Sequence, residues 1–224
     1  MTEMKIIARI RTELPEKFGV PRQSGLVPQL RGRVIFEPEY RNPDAVRGLE
    51  DFSHIWLIWQ FSQAVREGWS PTVRPPRLGG NRRMGVFATR SPFRPNNLGL
   101  SCVQLLGVEH TQEYGTVLRV GGADLMDGTP IFDIKPYIPY GDCKPEATGG
   151  FTDRTGDFLL QVEFPPALLE KLPEDKRQAA IGVLSHDPRP TYQRSPERVY
   201  GLSFAGCNIR FTVNETQLTV LEVE

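Results

Sequence analysis

HIWLIWQF, residues His54–Phe61, is the longest apolar run of this 224-residue chain and the stretch that decides its fold class. Its isoleucine, tryptophan and phenylalanine side chains favour a β-strand, and the run is too short to span a bilayer. Because the run is almost continuously apolar, it predicts a strand that is buried on both faces.

Further short strands are predicted on both sides of this one, each bounded by glycine, proline or other turn residues. They are Lys5–Ile10, Arg33–Phe36, Met84–Thr89, Cys102–Val108, Thr116–Val120 and Pro130–Ile134. Asn42 followed by Pro43 predicts the start of a short helix. Many short strands with a weak helical periodicity predict a barrel or a sandwich.

The pattern changes after about Gly150, where two helices are predicted and then three strands. The helices are Pro165–Leu172 and Glu174–His186, and the strands are Val199–Phe204, Asn208–Val213 and Leu218–Glu222. We therefore predict a mainly β chain with two domains. Residues 1–150 would form an N-terminal β-domain, either a barrel or a sandwich, and residues 151–224 a small α+β C-terminal domain, with the boundary in a polar, glycine-containing stretch.

Positive charge is concentrated in one segment, although the chain as a whole has 27 basic and 27 acidic residues. Between Gly68 and Val108 there are six arginines and no acidic residue: Arg74, Arg77, Arg82, Arg83, Arg90 and Arg94. Arginines on stiff Pro/Gly loops predict binding of phosphate or carboxylate groups. A solvated basic face is the open alternative.

A second candidate group lies in DLMDGTPIFDIKPY, residues Asp124–Tyr137. Asp133 and Lys135 are two residues apart and would share one face of a strand, with Asp127 in the preceding turn. Such a group can transfer a proton or hold a cationic ligand. A turn aspartate and an ordinary surface ion pair are the alternative.

Several classes of protein are disfavoured by what the sequence lacks. There is no GxGxxG after a strand, no GxxxxGK[ST] and no GxSxG. The three cysteines form no CxxC and the three histidines share no metal-ligand spacing, so neither a disulfide framework nor a metal site is predicted. With no secretory signal and no membrane span, we expect a cytoplasmic protein without a membrane partner.

Four segments resemble the TsaA-like family, and within it the bacterial TrmO-type tRNA methyltransferases. They are EKFGVPRQSGL (16–26), GLEDFSHIWLIWQF (48–61), RPPRLGGNRRMGVFATRSPFRPNNLGLS (74–101) and DGTPIFDIKPYIPY (127–140), and HDPRPTY (186–192) continues the match. The resemblance implies a small β-barrel that binds S-adenosylmethionine (SAM) without a Rossmann domain and acts as a homodimer. It also implies methylation of N6 of threonylcarbamoyladenosine at position 37, in the anticodon loop of a threonine tRNA. A methyltransferase with another substrate and a non-catalytic RNA-binding barrel remain open alternatives.

The resemblance also implies roles for individual residues. Cofactor-binding residues are expected to be Pro21, Arg22, Gln23, Ser62, Gln63, Arg90, Leu100, Leu125, Met126, Asp127 and Gly128. Catalysis or substrate positioning is expected from Asp133, Asp127, Arg94, Asn96 and Lys135. The chain departs from the family pattern at Ser62, where a histidine is frequent, and at Asn97-Leu98, where Pro-Ile is frequent.

RNA contacts are predicted from the remaining arginines and from a cationic, aromatic stretch near the C-terminus. The predicted residues are Arg74, Arg77, Arg82, Arg83, Arg189, Tyr192, Arg194 and Arg198. Cations mixed with aromatic rings suit phosphate contact and base stacking. Ordinary surface charge is the alternative, because residues 151–224 carry 8 basic and 11 acidic side chains.

Overall fold

The computed structural model describes residues 3–79, 82–154, 158–189 and 195–224. Its strands are β1 Ala8–Thr12, β2 Arg31–Phe36, β3 His54–Gln60, β4 Thr72–Val73, β5 Met84–Gly85, β6 Leu98–Thr111, β7 Gly115–Gly121, β8 Pro130–Pro136, β9 Gln161–Glu163, β10 Tyr200–Phe204, β11 Cys207–Asn214 and β12 Gln217–Val223. Its α-helices are α1 Pro139–Asp142, α2 Pro166–Leu169 and α3 Glu174–Ser185. Short 3-10 helices cover Pro38–Tyr40, Pro43–Val46, Leu49–Asp51, Ser62–Ala64, Pro76–Leu78, Val86–Ala88 and Gly150–Arg154.

Six strands close into a barrel in the order β1-β2-β7-β6-β3-β8, and every neighbouring pair is antiparallel. Closure leaves this sheet without a free edge, which removes the usual route to edge-to-edge aggregation. The predicted mainly β fold with a small barrel is confirmed.

The central strand β3 is buried on one face only, so the prediction of burial on both faces is wrong. Ile55, Leu57 and Trp59 point into the barrel, whereas Trp56 and Ile58 point outward and are half-buried. A barrel strand has an inner and an outer side, and apolar residues on both sides of β3 reflect two different environments. The outer apolar row therefore needs an explanation other than the barrel core.

The longest strand, β6, contains a bulge within its pairing with β7. Its first half, up to Gln104, pairs with β3, and its second half, from Gln104 onward, pairs with β7 with a register shift between Leu105 and Gly107. The extra residue at a bulge increases local twist and turns the strand. The predicted strand Met84–Thr89 is wrong beyond Gly85, where a 3-10 turn of Val86–Ala88 follows.

A second sheet has the order β10-β11-β12-β9, with β9 parallel to β12. The buried face of α3 belongs to a hydrophobic cluster with this sheet, and Leu14, Val27 and Leu30 join that cluster from the long loop between β1 and β2. The predicted helix Pro165–Leu172 contains only the single turn α2. This loop therefore packs on the C-terminal unit although both of its ends enter barrel strands.

Candidate functional site

Three distant segments meet at Gln23, Arg90 and Asp124. The Arg90 guanidinium donates a hydrogen bond to the Gln23 side-chain oxygen. Arg90 is also close enough to Asp124 to favour the ionised carboxylate. The backbone amide of Gly25 donates to the carbonyl of Gly122 at 2.8 Å, which holds the loop beside the end of β7. The β1–β2 loop, the arginine-rich segment and the segment after β7 thus share one site.

Asp124 ends a hydrogen-bonded chain that starts in the barrel core. The indole Nε1 of Trp59 donates to the Ser101 hydroxyl at 2.9 Å, and that hydroxyl donates to Asp124 Oδ1 at 2.6 Å. Burial raises the pKa of the Asp124 carboxyl, while hydrogen bonds from Ser101 and Ser24 and the charge of Arg90 oppose the rise. A largely desolvated carboxylate beside a cation is typical of functional sites.

Asp124 lies outside the set of site residues predicted from the sequence. Its signal is weak, because a single aspartate between Ala123 and Leu125 resembles any turn residue. Both neighbours are buried, however, and a charged residue inside a buried run is unusual enough to single out.

Asp127 fastens its own segment to β1. Its Oδ1 accepts a hydrogen bond from the Thr12 backbone amide at 3.0 Å, and its Oδ2 pairs with Arg11 at 3.1 Å. The backbone amide of Gly128 also donates to the carbonyl of Ile10 at 2.8 Å. Asp127 therefore has a structural task that accounts for both of its oxygens.

The other predicted cofactor residues differ in how exposed their side chains are. Leu125 is buried and belongs to the barrel core, and Pro21 is also buried. Arg22 is exposed, and its carbonyl accepts a hydrogen bond from the Gln23 side-chain amide. Met126 is half-buried, whereas Ser62 and Gln63 are exposed in the 3-10 turn that follows β3.

Arg94 closes the loop in which it lies. Its Nη1 donates to the carbonyl of Thr89 at 2.7 Å, which uses one of the guanidinium nitrogens that the sequence assigns to the substrate. Asn96 is exposed, and its carbonyl accepts from the Leu98 amide at 2.6 Å. The loop is tied to the end of β3 because the Phe61 amide donates to the carbonyl of residue 97.

Asp133 and Lys135 lie together on the outer face of β8, as their spacing predicts. Lys135 Nζ is 2.9 Å from Asp133 Oδ2. In the ladder Asp133 is opposite Ile58, and Ile58 is opposite Leu100, which places Asp133 and Leu100 about 10 Å apart on one row. Among the described residues, no hydrogen bond or ion pair joins this row to Gln23, Arg90 or Asp124.

The predicted RNA-binding arginines of the N-terminal region lie around the hairpin of β4 and β5. Arg74, Arg82 and Arg83 are exposed, and Arg83 donates to the Thr72 hydroxyl at 3.1 Å. The Arg77 side chain lies outside the described part of the structure. These cations are available to a polyanion.

The predicted RNA-binding arginines of the C-terminal unit are less available to a polyanion. Arg189 is 9% exposed, and its guanidinium binds both oxygens of Asp187 at 2.8 and 3.0 Å. Arg198 is exposed, with its guanidinium carbon 5.3 Å from the Tyr200 ring. Tyr192 and Arg194 lie outside the described residues.

The described ranges contain neither a cluster of metal ligands nor a membrane-spanning helix. No group of three or more His, Cys, Asp or Glu side chains is placed to hold a metal ion. No helix there combines the length and the apolar character that crossing a bilayer requires.

Comparison with known proteins gives the same family across both units. The family model for the tRNA-methyltransferase O N-terminal domain matches residues 9–143, and that for the TrmO C-terminal domain matches residues 158–224. The tRNA (adenine(37)-N6)-methyltransferase of Escherichia coli K12 is 42% identical over 97% of this chain and 96% of its own length. A relative from Pseudomonas aeruginosa, whose name describes an S-adenosylmethionine-dependent methyltransferase, is 40% identical over 88% of this chain and 86% of its own length.

Solved structures agree with the sequence comparisons. The crystal structure of TrmO from P. aeruginosa superposes with a TM-score of 0.81 at 33% identity, over 100% of this chain and 97% of that chain. The likeness therefore covers the barrel, the second sheet and the long loop between β1 and β2. On these matches, the chain belongs to the tRNA-methyltransferase O family.

Proposed function

We propose that this protein transfers a methyl group from SAM to N6 of threonylcarbamoyladenosine at position 37 of a threonine tRNA. The meeting of Gln23, Arg90 and Asp124 at one end of the barrel carries the proposal. Relatives named as tRNA (adenine(37)-N6)-methyltransferases support the target atom.

The chemistry of this cluster suits SAM, whose methionine part carries a carboxylate, an ammonium group and a sulfonium. Arg90 offers a cation for the carboxylate, and Asp124 offers an anion for the positive groups. Pro21–Gln23 and Leu125–Gly128 would hold the cofactor, the buried Leu125 through its backbone. SAM, when bound, supplies an electrophilic methyl group. The protein then has to hold two reactants in line and remove one proton.

Asp133 is the better candidate for the base than Asp127. Asp127 uses both oxygens to hold the start of its segment on β1. The partners of Asp133 are the neighbouring Ile134 amide at 2.9 Å and the flexible Lys135 amine, which can move to a substrate carboxylate. A carboxylate in reach of the urea-type nitrogen takes its proton as the methyl group arrives. Arg94 and Asn96 then act by shaping the loop that faces the substrate.

We propose a homodimer in the cytoplasm, formed through the outer face of β8, β3 and β6. Trp56 and Ile58 are half-buried on this face, and Leu100 is 55% exposed. A second copy seated here would cover these apolar side chains. It would also bring the Asp133 row of one protomer towards the arginine-rich segment of its partner. In this way two groups that are separate within one chain become one site.

The C-terminal unit assists tRNA binding through Arg198 rather than Arg189. Arg189 is committed to Asp187, because its guanidinium binds both carboxylate oxygens, and contact with a phosphate would require it to give up that pair. Arg198 is exposed and lies over Tyr200, and no ion pair within the described residues holds it, so it can reach a phosphate.

The test is nucleoside mass spectrometry of tRNA after incubation with purified protein and labelled SAM. We expect a methylated hypermodified adenosine with intact tRNA and little product with the free nucleoside. Arg90→Ala and Asp133→Asn should each lower the rate by about 100-fold or more. Arg210→Ala, which removes a guanidinium of β11 that pairs with Glu222 of β12, is the matched control and should keep the rate.

The same measurement separates the alternatives. Methyl transfer to the free nucleoside or to a small molecule would indicate another substrate. RNA binding without SAM affinity would indicate a non-catalytic barrel. Near-normal turnover by Arg90→Ala would show that the cluster of Gln23, Arg90 and Asp124 takes no part in the reaction.

A further inference from the structure

Two large aromatic side chains stand exposed side by side in the arginine-rich segment. Trp69 is 54% exposed and Phe87 is 72% exposed. Their ring centroids are 6.1 Å apart and their planes meet at 31°. Exposed aromatic pairs of this size are costly to leave in water, and a cluster of them marks an interaction site.

The hairpin of β4 and β5 fixes the pair. Trp69 precedes β4 and Phe87 follows β5, and these strands are antiparallel with Thr72 opposite Gly85. The amide of residue 86 also donates to the carbonyl of Pro71 at 2.9 Å, directly beside Phe87. The two rings are therefore neighbours because the backbone holds them there.

The charge around the rings identifies the partner. Residues 68–108 contain six arginines and no acidic residue. The Arg94 guanidinium carbon lies 6.0 Å from the centre of the Phe87 ring, and Arg83 is anchored on β4. Flat apolar faces beside guanidinium groups bind single-stranded nucleic acid, where bases stack and phosphates pair with cations. A second copy of the chain seated symmetrically here would set arginine against arginine, which disfavours self-association at this hairpin.

The pair is also close to the proposed reaction site. Arg90, which contacts Gln23, follows Phe87 by three residues, and three residues span at most about 10 Å. A base stacked on Phe87 would therefore be a near neighbour of the base being methylated.

We propose that Trp69 and Phe87 form a stacking platform for unpaired bases that flank the target adenosine. The proposal rests on the proposed tRNA methyltransferase function and adds the surface that receives the opened anticodon loop. Stacking on an aromatic ring tolerates any base, so the platform contributes affinity and orientation rather than sequence choice.

The experiment measures binding of a fluorescently labelled anticodon stem-loop to Trp69→Ala, Phe87→Ala and the double variant. Each single change should weaken binding about 5- to 100-fold. Trp69→Phe and Phe87→Tyr keep a ring and should stay within about 3-fold of the parent protein. Phe158→Ala, which removes a ring that is 60% exposed outside this segment, is the matched control and should bind normally. SAM affinity should be unchanged in all of them.

Salt dependence distinguishes stacking from a charge effect. Trp69→Ala should lower affinity at every salt concentration without changing the slope of log K against log salt, because no counterion is involved. Arg83→Gln should instead reduce the slope. Overlapping unfolding curves for the variants would show that the fold is intact.

Binding of the double alanine variant at the parent affinity would overturn the platform. So would a change in the mass of the particle caused by Trp69→Ala, since that result would assign the rings to an interface between copies. If the parent protein methylates tRNA while the variants bind normally, the platform fails and the proposed function stands. If the parent protein binds the stem-loop through the rings but makes no product, the function fails and the platform stands.

Discussion

Gly99→Ala should destabilise the protein strongly, although alanine is ordinarily the smallest of changes. Gly99 lies opposite Trp59 in the β3–β6 ladder, and the indole ring folds across it. A Cβ at Gly99 would be 2.3 Å from Trp59 Cε2, 2.5 Å from Cζ2 and 2.6 Å from Cδ2. These separations are about 1 Å shorter than carbon–carbon contacts allow.

The Trp59 ring is too tightly packed to move away from a new Cβ at residue 99. Trp59 is 6% exposed, its ring centroid is 4.2 Å from that of Phe61, and its Nε1 is bound to Ser101. Overpacking of this kind costs about 1–3 kcal/mol, and loss of the buried hydrogen bond adds about 1 kcal/mol. We expect the free energy of unfolding to fall by about 2–4 kcal/mol. That is a large part of the roughly 5–15 kcal/mol of a typical domain.

Urea unfolding followed by circular dichroism measures this loss. Gly85→Ala is the matched control, because nothing lies within 4 Å of a Cβ there, and it should change stability by less than about 0.5 kcal/mol. In the Trp59→Leu background the whole ring is removed, so the cost of Gly99→Ala should shrink by about 1 kcal/mol or more. A loss below about 0.5 kcal/mol in the parent protein, or the same loss in both backgrounds, would refute the steric account.

Three further predictions concern the site. Burial raises the pKa of Asp124 in the folded protein, so the contribution of Asp124 to stability falls as pH rises from the unfolded value of 3.8 through the raised folded value. In urea titrations, the stability of Asp124→Asn relative to the parent protein should therefore be greater at pH 7 than at pH 3.5. Asp127→Ala should cost about 1–2 kcal/mol in the same assay, because the Thr12 amide loses its acceptor; Arg11→Gln should cost less than about 0.5 kcal/mol, because that ion pair is exposed. Binding of tRNA should weaken steeply with salt, and Arg83→Gln should reduce the slope of log K against log salt by about 0.7–0.9.

Each of these predictions has an opposing outcome. A pH-independent difference between Asp124→Asn and the parent would show that the carboxylate is not desolvated. Equal losses for Asp127→Ala and Arg11→Gln would assign the effect to the ion pair rather than to the backbone amide. Binding of tRNA that does not change with salt would show that the arginine-rich segment makes no phosphate contacts.

The barrel could be predicted because its strands carry their signal locally. The alternation of buried and exposed residues in β1 and β2 follows from side chains that point to opposite faces of a strand. The start of β6 was missed because LGLS contains a glycine and a serine, which are poor strand formers. Gly99 is there because the Trp59 ring occupies the space of a side chain, and only the paired strand reveals that.

Part of the candidate site could be proposed from the sequence, and Asp124 shows why the rest could not. Arg90 and Gln23 could be proposed from a motif, but Asp124 owes its character to Ser101 and Ser24, which are 23 and 100 residues away in the sequence. The structural role of Asp127 could not be predicted either, because it depends on a hydrogen bond from the Thr12 backbone amide of β1. Local sequence shows which groups are present, whereas burial and partners depend on the closed barrel.

The C-terminal unit has a role in the site that does not require contact with RNA. It contacts the loop that carries Gln23 at one point before and one point after that residue. Lys176 Nζ is 2.6 Å from Glu13 Oε1, and the His186 ring is 3.0 Å from the carbonyl of Leu26.

Between these two ties, Gly19 packs so closely on Leu202 that a Cβ would be 2.2 Å from the leucine methyl. Ordering a loop costs about 1–2 kcal/mol per residue, and the bond from Gly25 to Gly122 alone cannot offset that for the whole segment. The second core supplies the rest by burying Leu14 and other apolar residues of the loop. The position of Gln23 against Arg90 is therefore set from both sides, by the barrel and by the C-terminal sheet.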